Sequence, residues 1–333
     1  MSNKIKKTLD NKTILITGGT GSFGSMFVSH MLKNFNLKKI IIFSRDELKQ
    51  FHMQEELKLF KNKLRFFIGD IRDKNRLDLS LKNVDFVIHA AALKQVPAAE
   101  YNPIEAIKTN VLGAQNLLLS CIGNNVKKLI ALSTDKAVNP INLYGATKLS
   151  SDKLLIAANN LSGYNGTKFS AVRYGNVLSS RGSVIPLFNK LKSQNSNIVP
   201  ITHQDMTRFF ISKKDAVNFV VSSLVEMKGG EIFVPKIPSF KITDLADVIF
   251  KNYKRKIVGI RPGEKIHEVL ISKEEAKYTQ EFKNKYVVYS VILHKNFKNI
   301  NKNKIISEYS SNNNEIFLNK NQIKILLKKN KLI

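Results

Sequence analysis

The sequence predicts an α/β fold: a doubly wound parallel sheet followed by a smaller, mixed C-terminal region. Three observations predict it. From Thr13 to Arg173 short apolar segments alternate with helical ones, and repeated β-α-β units imply right-handed crossovers and a parallel sheet. Most of the short segments are dominated by Ile, Leu, Val or Phe, as strands buried on both faces require. After Asn176 the pattern becomes irregular and is broken by Pro186, Pro200, Pro235, Pro238 and Pro262.

In order, strands are expected at residues 14–17, 39–43, 64–68, 86–89, 128–133 and 170–173, with helices between them, for example over 46–60 and 106–122. This gives three regions: 1–175, a dinucleotide-type α/β domain; 176–291, mainly a substrate-binding region; and 292–333, a basic, Asn/Lys-rich tail ending in a short helix over 321–331. With 333 residues, of which 43% are hydrophobic and 24% charged, the chain can bury a large core. Residues 1–12 are polar and basic, without the apolar stretch of a signal peptide. The longest apolar runs, at 40–43 and 219–225, fall far short of the roughly 20 residues of a membrane span. The expected location is cytoplasmic, with no membrane partner.

Cys121 is the single cysteine and lies in an apolar helical stretch, which excludes a disulfide framework within one chain and suits a packing thiol. The six histidines are scattered, none at the i, i+4 spacing of a helical metal site, so no metal is expected. The net charge of +28 comes from 54 Lys and Arg against 26 Asp and Glu. Lysines are spread along the chain, thickening only at 295–304 and 320–331, with no aromatic-interleaved stripe. That argues against nucleic acid, and a basic cleft for an anionic small substrate fits the same charge.

The first strand runs into Thr17-Gly18-Gly19-Thr20-Gly21-Ser22-Phe23-Gly24, and an apolar helix follows. Glycines at 18, 21 and 24 let the backbone approach a pyrophosphate, which the helix N-terminus then binds through its free amides. This is the Rossmann arrangement. The second strand ends in Ser44-Arg45-Asp46, where an NAD site normally offers a carboxylate to the ribose. Arg45 offers a guanidinium fork for a 2′-phosphate instead, with Ser44 and Lys49 as helpers, so the expected cofactor is NADP. The alternative makes Asp46 a helix N-cap and Arg45 a solvated charge. Asp70 and Ile71, after the third strand, are expected to flank the adenine. Ala90, after the fourth, lets the backbone pass close to the cofactor.

The fifth strand ends in Ser133-Thr134-Asp135-Lys136, and Tyr144 and Lys148 follow at i, i+4 on one helix face. A lysine so placed is expected to lower the phenol pKa from about 10, making Tyr144 a base for an alcohol proton, and to hold the nicotinamide ribose. Arg208 and Arg261 are fork donors suited to a diphosphate.

The glycine loop, the Tyr144/Lys148 pair and Thr109-Asn110-Val111 resemble the extended short-chain dehydrogenase/reductase superfamily. More narrowly, Ser44-Arg45-Asp46-Glu47-Leu48-Lys49, residues 89–97, 133–148 and 173–184, Arg261-Pro262-Gly263-Glu264 and Glu308-Tyr309-Ser310-Ser311-Asn312 resemble inverting UDP-N-acetylglucosamine 4,6-dehydratases of pseudaminic acid biosynthesis. The resemblance spans nearly the whole chain and departs most in the basic tail. Its most specific element is Thr134-Asp135-Lys136 ahead of Tyr144, since retaining sugar dehydratases carry an acidic residue in place of Lys136. The resemblance implies oxidation at C4 with Tyr144 taking the hydroxyl proton, removal of the C5 proton by a neutral Lys136, and protonation of the departing C6 hydroxyl by Asp135. Hydride then returns to C6 and C5 is reprotonated with inversion. It adds Asn110 and Val177 to the cofactor set, places Lys94 and Asn176 near the sugar phosphate, and gives Glu264 a ribose or uracil contact. It implies UDP-N-acetylglucosamine as substrate and a homo-oligomer. Two alternatives stay open: a nucleotide-sugar 4-epimerase or retaining dehydratase on the same fold, and a non-catalytic Rossmann-type binding protein.

Overall fold

All six apolar segments become parallel strands, and the sheet they build is larger than expected. The structure, a computed structural model, describes residues 3–180, 182–290 and 307–333. Strands β1 (Thr13–Thr17), β2 (Lys39–Ser44), β3 (Leu64–Ile68), β4 (Phe86–His89), β5 (Lys128–Thr134) and β6 (Lys168–Tyr174) lie in the order β3-β2-β1-β4-β5-β6. β1 is buried along its whole length. Its alternating side chains feed two cores, as the period of a strand requires. Ile14 and Ile16 pack with Phe27, Val28 and Met31 of helix Ser22–Asn34. Leu15 packs on the other face with Leu117, Leu118 and Cys121 of helix Gly113–Gly123 and Leu155 of helix Leu143–Ser162. Each such buried side chain contributes about 1.5–3 kcal/mol.

Beyond β6 the chain forms β7 (Asn176–Val177), β8 (Ile198–Ile201), β9 (Thr207–Ile211), β10 (Glu231–Pro235), β11 (Ser239–Lys241), β12 (Lys254–Ile257), β13 (Val269–Ile271), β14 (Thr279–Glu281), β15 (Lys285–Tyr289) and β16 (Tyr309–Ser310). β10 returns parallel to β6, and antiparallel β15 and β14 extend the sheet to nine strands. The division expected at 175/176 is therefore not a clean one, since residues 231–289 supply three strands of the first region's sheet. Pro235 masked this, because a proline inside an apolar run argues against a strand. Here it occupies the last position of β10, where a missing donor ends the ladder.

The C-terminal stretch also departs from the expected tail. β16 pairs with β13, and the Tyr309 hydroxyl accepts from Ile237 N at 2.9 Å and donates to Ile237 O at 3.1 Å. The terminal helix, expected over 321–331, spans Lys320–Lys329, opened by an Asn319/Gln322 capping box. Its Ile323 and Leu327 are buried in a third core with Phe188, Leu245 and Ile249. Two apolar residues at i, i+4 suffice to seat the helix, and the lysines around them hid the pattern. Residues 292–306 of the expected tail, including the lysine-rich 295–304, lie outside the described residues. Among the described residues, no helix is long and apolar enough to cross a membrane.

Candidate active site

The strand order reverses between β1 and β4, which opens a crevice at the carboxyl ends of the strands, where open α/β sheets take their ligands. A cleft of about 720 Å³ lies there. The glycine loop forms one end. Gly18 has φ 66°, and a Cβ on it would meet Ala91 N at 2.9 Å. A Cβ on Gly24 would strike the carbonyl of Gly19. Gly21 is the N-cap of helix Ser22–Asn34 and supplies no side-chain cap, so the first-turn amides stay available to an anion. Thr20, Ser22 and Phe23 line the same end. The loop is a cradle that side chains would fill, which fits a dinucleotide phosphate.

At the β1/β4 junction Thr17 Oγ1 accepts from Ala90 N (3.2 Å) and Ala91 N (3.3 Å). Its hydroxyl therefore donates to His89 Nδ1 at 2.8 Å, which places the imidazole proton on Nε2. Burial, then the charge of Lys148, hold His89 down to about 3, so it is neutral. This buried pair fixes Ala90 against the cleft and was not anticipated from the sequence.

At the end of β2, Asp46 is the N-cap of helix Glu47–Glu56, accepting from Lys49 N at 2.9 Å, and its carboxylate also pairs with the Lys49 ammonium. Asp46 and Lys49, both expected to meet the cofactor, line the cleft paired with each other. Ser44 is held from behind by Gln50 Nε2, which donates to its Oγ (2.9 Å) and carbonyl (3.0 Å). The Arg45 guanidinium stands half-exposed at the rim, 3.7 Å from Asp70. Burial pushes Asp70 up, but bonds from Arg72 and the charge of Arg45 outweigh it and hold the carboxyl below its usual range. Ile71 packs beside Gly113, where a Cβ would meet it at 2.7 Å.

Tyr144 and Lys148 lie in helix Leu143–Ser162, whose N-cap Asn142 accepts from Gly145 N at 2.7 Å. A Cβ on Gly145 would strike the Lys136 carbonyl. Glycine there lets helix Leu143–Ser162 press against the turn that carries Asp135 and Lys136. The Lys136 ammonium lies 3.0 Å from Asp135 Oδ1 and 3.4 Å from Glu268 Oε1. Thr134 Oγ1 also donates to Asp135 Oδ1, at 2.9 Å. Asp135 Oδ2 is buried with no hydrogen-bond partner among the described residues.

Two electrostatic expectations are corrected. Burial pushes the Tyr144 phenol up to about 12, with Asp135 and Asp152 adding to the rise and Lys136 and the Thr134 hydroxyl opposing it. Burial outweighs the lowering expected from Lys148. Its own ammonium is buried and shifted down by burial, with Asp152 opposing. Lys136 was expected to be shifted down, and burial does act that way. The carboxylates of Asp135 and Glu268 win, and its pKa is raised.

Behind these groups lies an ion network that motif reading missed. Asp152 accepts from Ser133 Oγ at 2.6 Å and lies 3.7 Å from the buried Arg173, which donates to both oxygens of Glu275 at 2.8 and 3.0 Å. Arg173 thereby ties β6 to the capping box Ser272/Glu275.

Asn110, expected on the cofactor, is buried outside the cleft in a π-helical turn, Lys108–Leu112. Its amide accepts from Leu93 N (2.8 Å) and donates to Leu93 O (2.8 Å) and Thr147 Oγ1 (3.0 Å). Three of the four hydrogen bonds its amide can make pin the loop after β4 to helix Leu143–Ser162, where a direct cofactor contact was expected.

Lys94 and Asn176, expected near the sugar phosphate, and Val177, expected on the cofactor, line the cleft. Arg208, read as a free fork for a diphosphate, is buried. Its Nη1 donates to the carbonyls of Thr207 (2.8 Å) and Ile266 (2.9 Å), and its Nη2 to Lys265 O (2.8 Å) and Glu264 Oε1 (3.3 Å). Its fork is engaged within the chain. Glu264 shares that contact, and Arg261 is exposed on the turn that Gly263 (φ 73°) closes. Asn142 Nδ2 donates to Gly263 O at 2.8 Å, so this turn docks on the N-terminus of helix Leu143–Ser162.

A profile of the polysaccharide biosynthesis protein family matches residues 14–290. A Campylobacter jejuni protein named UDP-N-acetylglucosamine 4,6-dehydratase (inverting) is 58% identical over 279 residues, 84% of this chain and 83% of its own. A Rickettsia bellii protein named UDP-glucose 4-epimerase is 47% identical over 83% of this chain and 82% of its own. The X-ray structure of Pen from Bacillus thuringiensis superposes with a TM-score of 0.88 at 35% identity, covering 96% of this chain and 99% of that one. A Rossmann-type cleft with a Tyr144/Lys148 helix, a profile match over most of the length and relatives of nearly equal extent place this chain in the polysaccharide biosynthesis protein family.

Proposed function

We propose that the protein is an NADP-dependent UDP-N-acetylglucosamine 4,6-dehydratase that inverts C5. It is a hydro-lyase giving UDP-2-acetamido-2,6-dideoxy-β-L-arabino-hex-4-ulose for pseudaminic acid synthesis. The observation that carries this reading is the contact of Lys136 with Asp135 at 3.0 Å, in the turn that the Tyr144 helix presses against. The chain is also 58% identical to a relative of that name.

Tyr144 Oη takes the C4 hydroxyl proton, and Lys148 holds the nicotinamide ribose. When bound, the nicotinamide supplies a reversible hydride acceptor, from C4 and back to C6. The C4 ketone acidifies C5–H. One proton moved along the Lys136 Nζ–Asp135 Oδ1 bond turns an ammonium–carboxylate pair into an amine and a carboxylic acid. Lys136 is then the base for C5–H and Asp135 the acid for the departing C6 hydroxyl. A solvent proton delivered to C5 on the face opposite Lys136 inverts it, Tyr144 releases its proton to solvent, and the proton on Lys136 returns to the Lys136–Asp135 pair, which restores the starting state. Incubation with UDP-N-acetylglucosamine, with the product read by NMR, tests this. The Rickettsia relatives favour 4-epimerisation as a second reading, and a 4-epimer product that keeps its C6 hydroxyl would establish that instead.

NADP is favoured because Asp46 is committed to its helix cap while Arg45 stands free of backbone contacts at the rim. Arg45→Ala is expected to weaken NADP by about 1.5–3 kcal/mol, toward the lower end because the group is half-exposed, and to leave NAD nearly unchanged. Calorimetry giving equal affinities for the two cofactors in the wild type refutes this.

Lys94, Asn176, Glu264 and Arg261 are assigned to the nucleotide sugar. Arg261→Ala is expected to weaken UDP binding about 10-fold through a lost charged hydrogen bond, with NADP affinity unchanged. Titration of UDP and NADP against the variant checks it, and a fall in NADP affinity alone places Arg261 on the wrong ligand.

A further inference from the structure

We infer that Glu268 is a positioning residue for Lys136: its buried carboxylate, backed by Arg208, holds the Lys136 amine together with Asp135. This deepens the dehydratase reading and rests on Lys136 as the C5 base. Glu268 is 2% exposed, with Oε1 3.4 Å from Lys136 Nζ and 3.8 Å from Arg208 Nε. Its backbone is fixed from a distant segment. Glu268 N donates to Ser311 Oγ at 2.9 Å, and Ser311 N donates to Glu268 O at 2.8 Å. Ser311 Oγ is in turn bonded to Thr207 Oγ1 at 2.7 Å. A glutamate kept only for packing would have both oxygens satisfied, yet Oε2 is buried with no partner among the described residues. Burial and the neighbouring Asp135 raise the Glu268 carboxyl above its usual range against the pull of Lys136 and Arg208, so the charge it keeps is the one these two cations hold.

The groups facing Lys136 come from four elements. Asp135 lies in the turn after β5, Tyr144 on the catalytic helix, Arg208 on β9, and Lys265 and Glu268 in the segment before β13. Glu268 is the anion in this set that has no assigned part in proton transfer to the sugar. When Lys136 removes the C5 proton, the C–H bond breaks, an N–H bond forms on Nζ and the electron pair stays on the sugar enolate. Glu268 makes and breaks no bond. It stabilises the ammonium as it forms, as a carboxylate supports a histidine base in a catalytic triad. Arg208, its fork held by backbone carbonyls and Glu264, presents Nε to Glu268 and completes the row Lys136–Glu268–Arg208.

The test is trace acetylation of the cofactor-loaded enzyme across pH, with the Lys136 peptide read by mass spectrometry, beside steady-state kinetics. Glu268→Gln, which keeps the shape and removes the charge, is expected to lower the Lys136 labelling midpoint by about 1–3 pH units. It should lower kcat about 10–100-fold with the KM for nucleotide sugar nearly unchanged. Glu268→Asp is expected to restore most of both, and it carries the same comparison if the Gln variant does not fold. A midpoint unmoved in a variant that binds cofactor normally overturns the proposal, as does a loss confined to KM. If the wild type fails to form the dehydrated product, Lys136 loses its role as C5 base. The labelling midpoint, which needs no turnover, still decides the Glu268 contact.

Discussion

Lys136→Ala is expected to abolish formation of the 6-deoxy product while leaving oxidation at C4 intact. Removing a positioned base costs about 10²–10⁴-fold in rate, and the alanine also leaves the buried Asp135 and Glu268 carboxylates without the ammonium between them. In deuterium oxide the wild type should incorporate deuterium at C5, and the variant should not. Deuterium appearing at the wild-type rate in the variant, or product retaining the D-configuration at C5, removes Lys136 from this role. The raised pKa of Lys136 fixes the direction of the pH dependence. A group whose folded pKa lies above its ordinary value stays protonated over more of the pH range. The active amine arises when that proton passes along the bond to Asp135, so the pair keeps one proton throughout, and its contribution to kcat/KM should hold level with pH and fall only above the ordinary lysine range, where the proton is lost altogether.

Tyr144→Phe is expected to lower kcat about 10²–10⁴-fold, with cofactor affinity and the KM for nucleotide sugar nearly unchanged, because the hydroxyl acts in the transition state. The phenol, pushed up to about 12 by burial, is neutral over the working range, and its reactive phenolate grows about tenfold per pH unit below that value. The wild-type rate should therefore rise on the alkaline side, and the Phe variant should lose that part of the rise. Turnover by the Phe variant within about twofold of wild type, measured beside an unchanged cofactor titration, would remove Tyr144 as the C4 base.

The two sides of the site differed in how far the sequence revealed them. The glycine loop is built from neighbours in the chain, so its strand–turn–helix form was legible, and Gly18, Thr20, Gly21, Phe23 and Gly24 line the cleft. Lys136 and Tyr144, eight residues apart, line the same cleft. Asn110 was a motif residue whose amide proved to be spent on Leu93 and Thr147, because a motif records which residue is present and not what it bonds. Arg208 was read as a fork reaching outward, and the carbonyls of Thr207, Lys265 and Ile266 enclose it.

Local sequence by itself determined the parallel six-strand core, the glycine cradle, the i, i+4 pairing of Tyr144 with Lys148 and the adjacency of Asp135 to Lys136. Each of these depends on spacing within a few residues, where strand and helix periods dictate which side chains meet. Only the tertiary structure decided the three added strands, the seating of residues 307–333 and the electrostatic state of the site. Glu268 approaches Lys136 from a remote segment, and Arg173 reaches Glu275 from another, 102 positions along the chain. Charges act through space and burial, so the proton affinities of Lys136 and Tyr144 belong to the packed assembly of segments and to no segment alone.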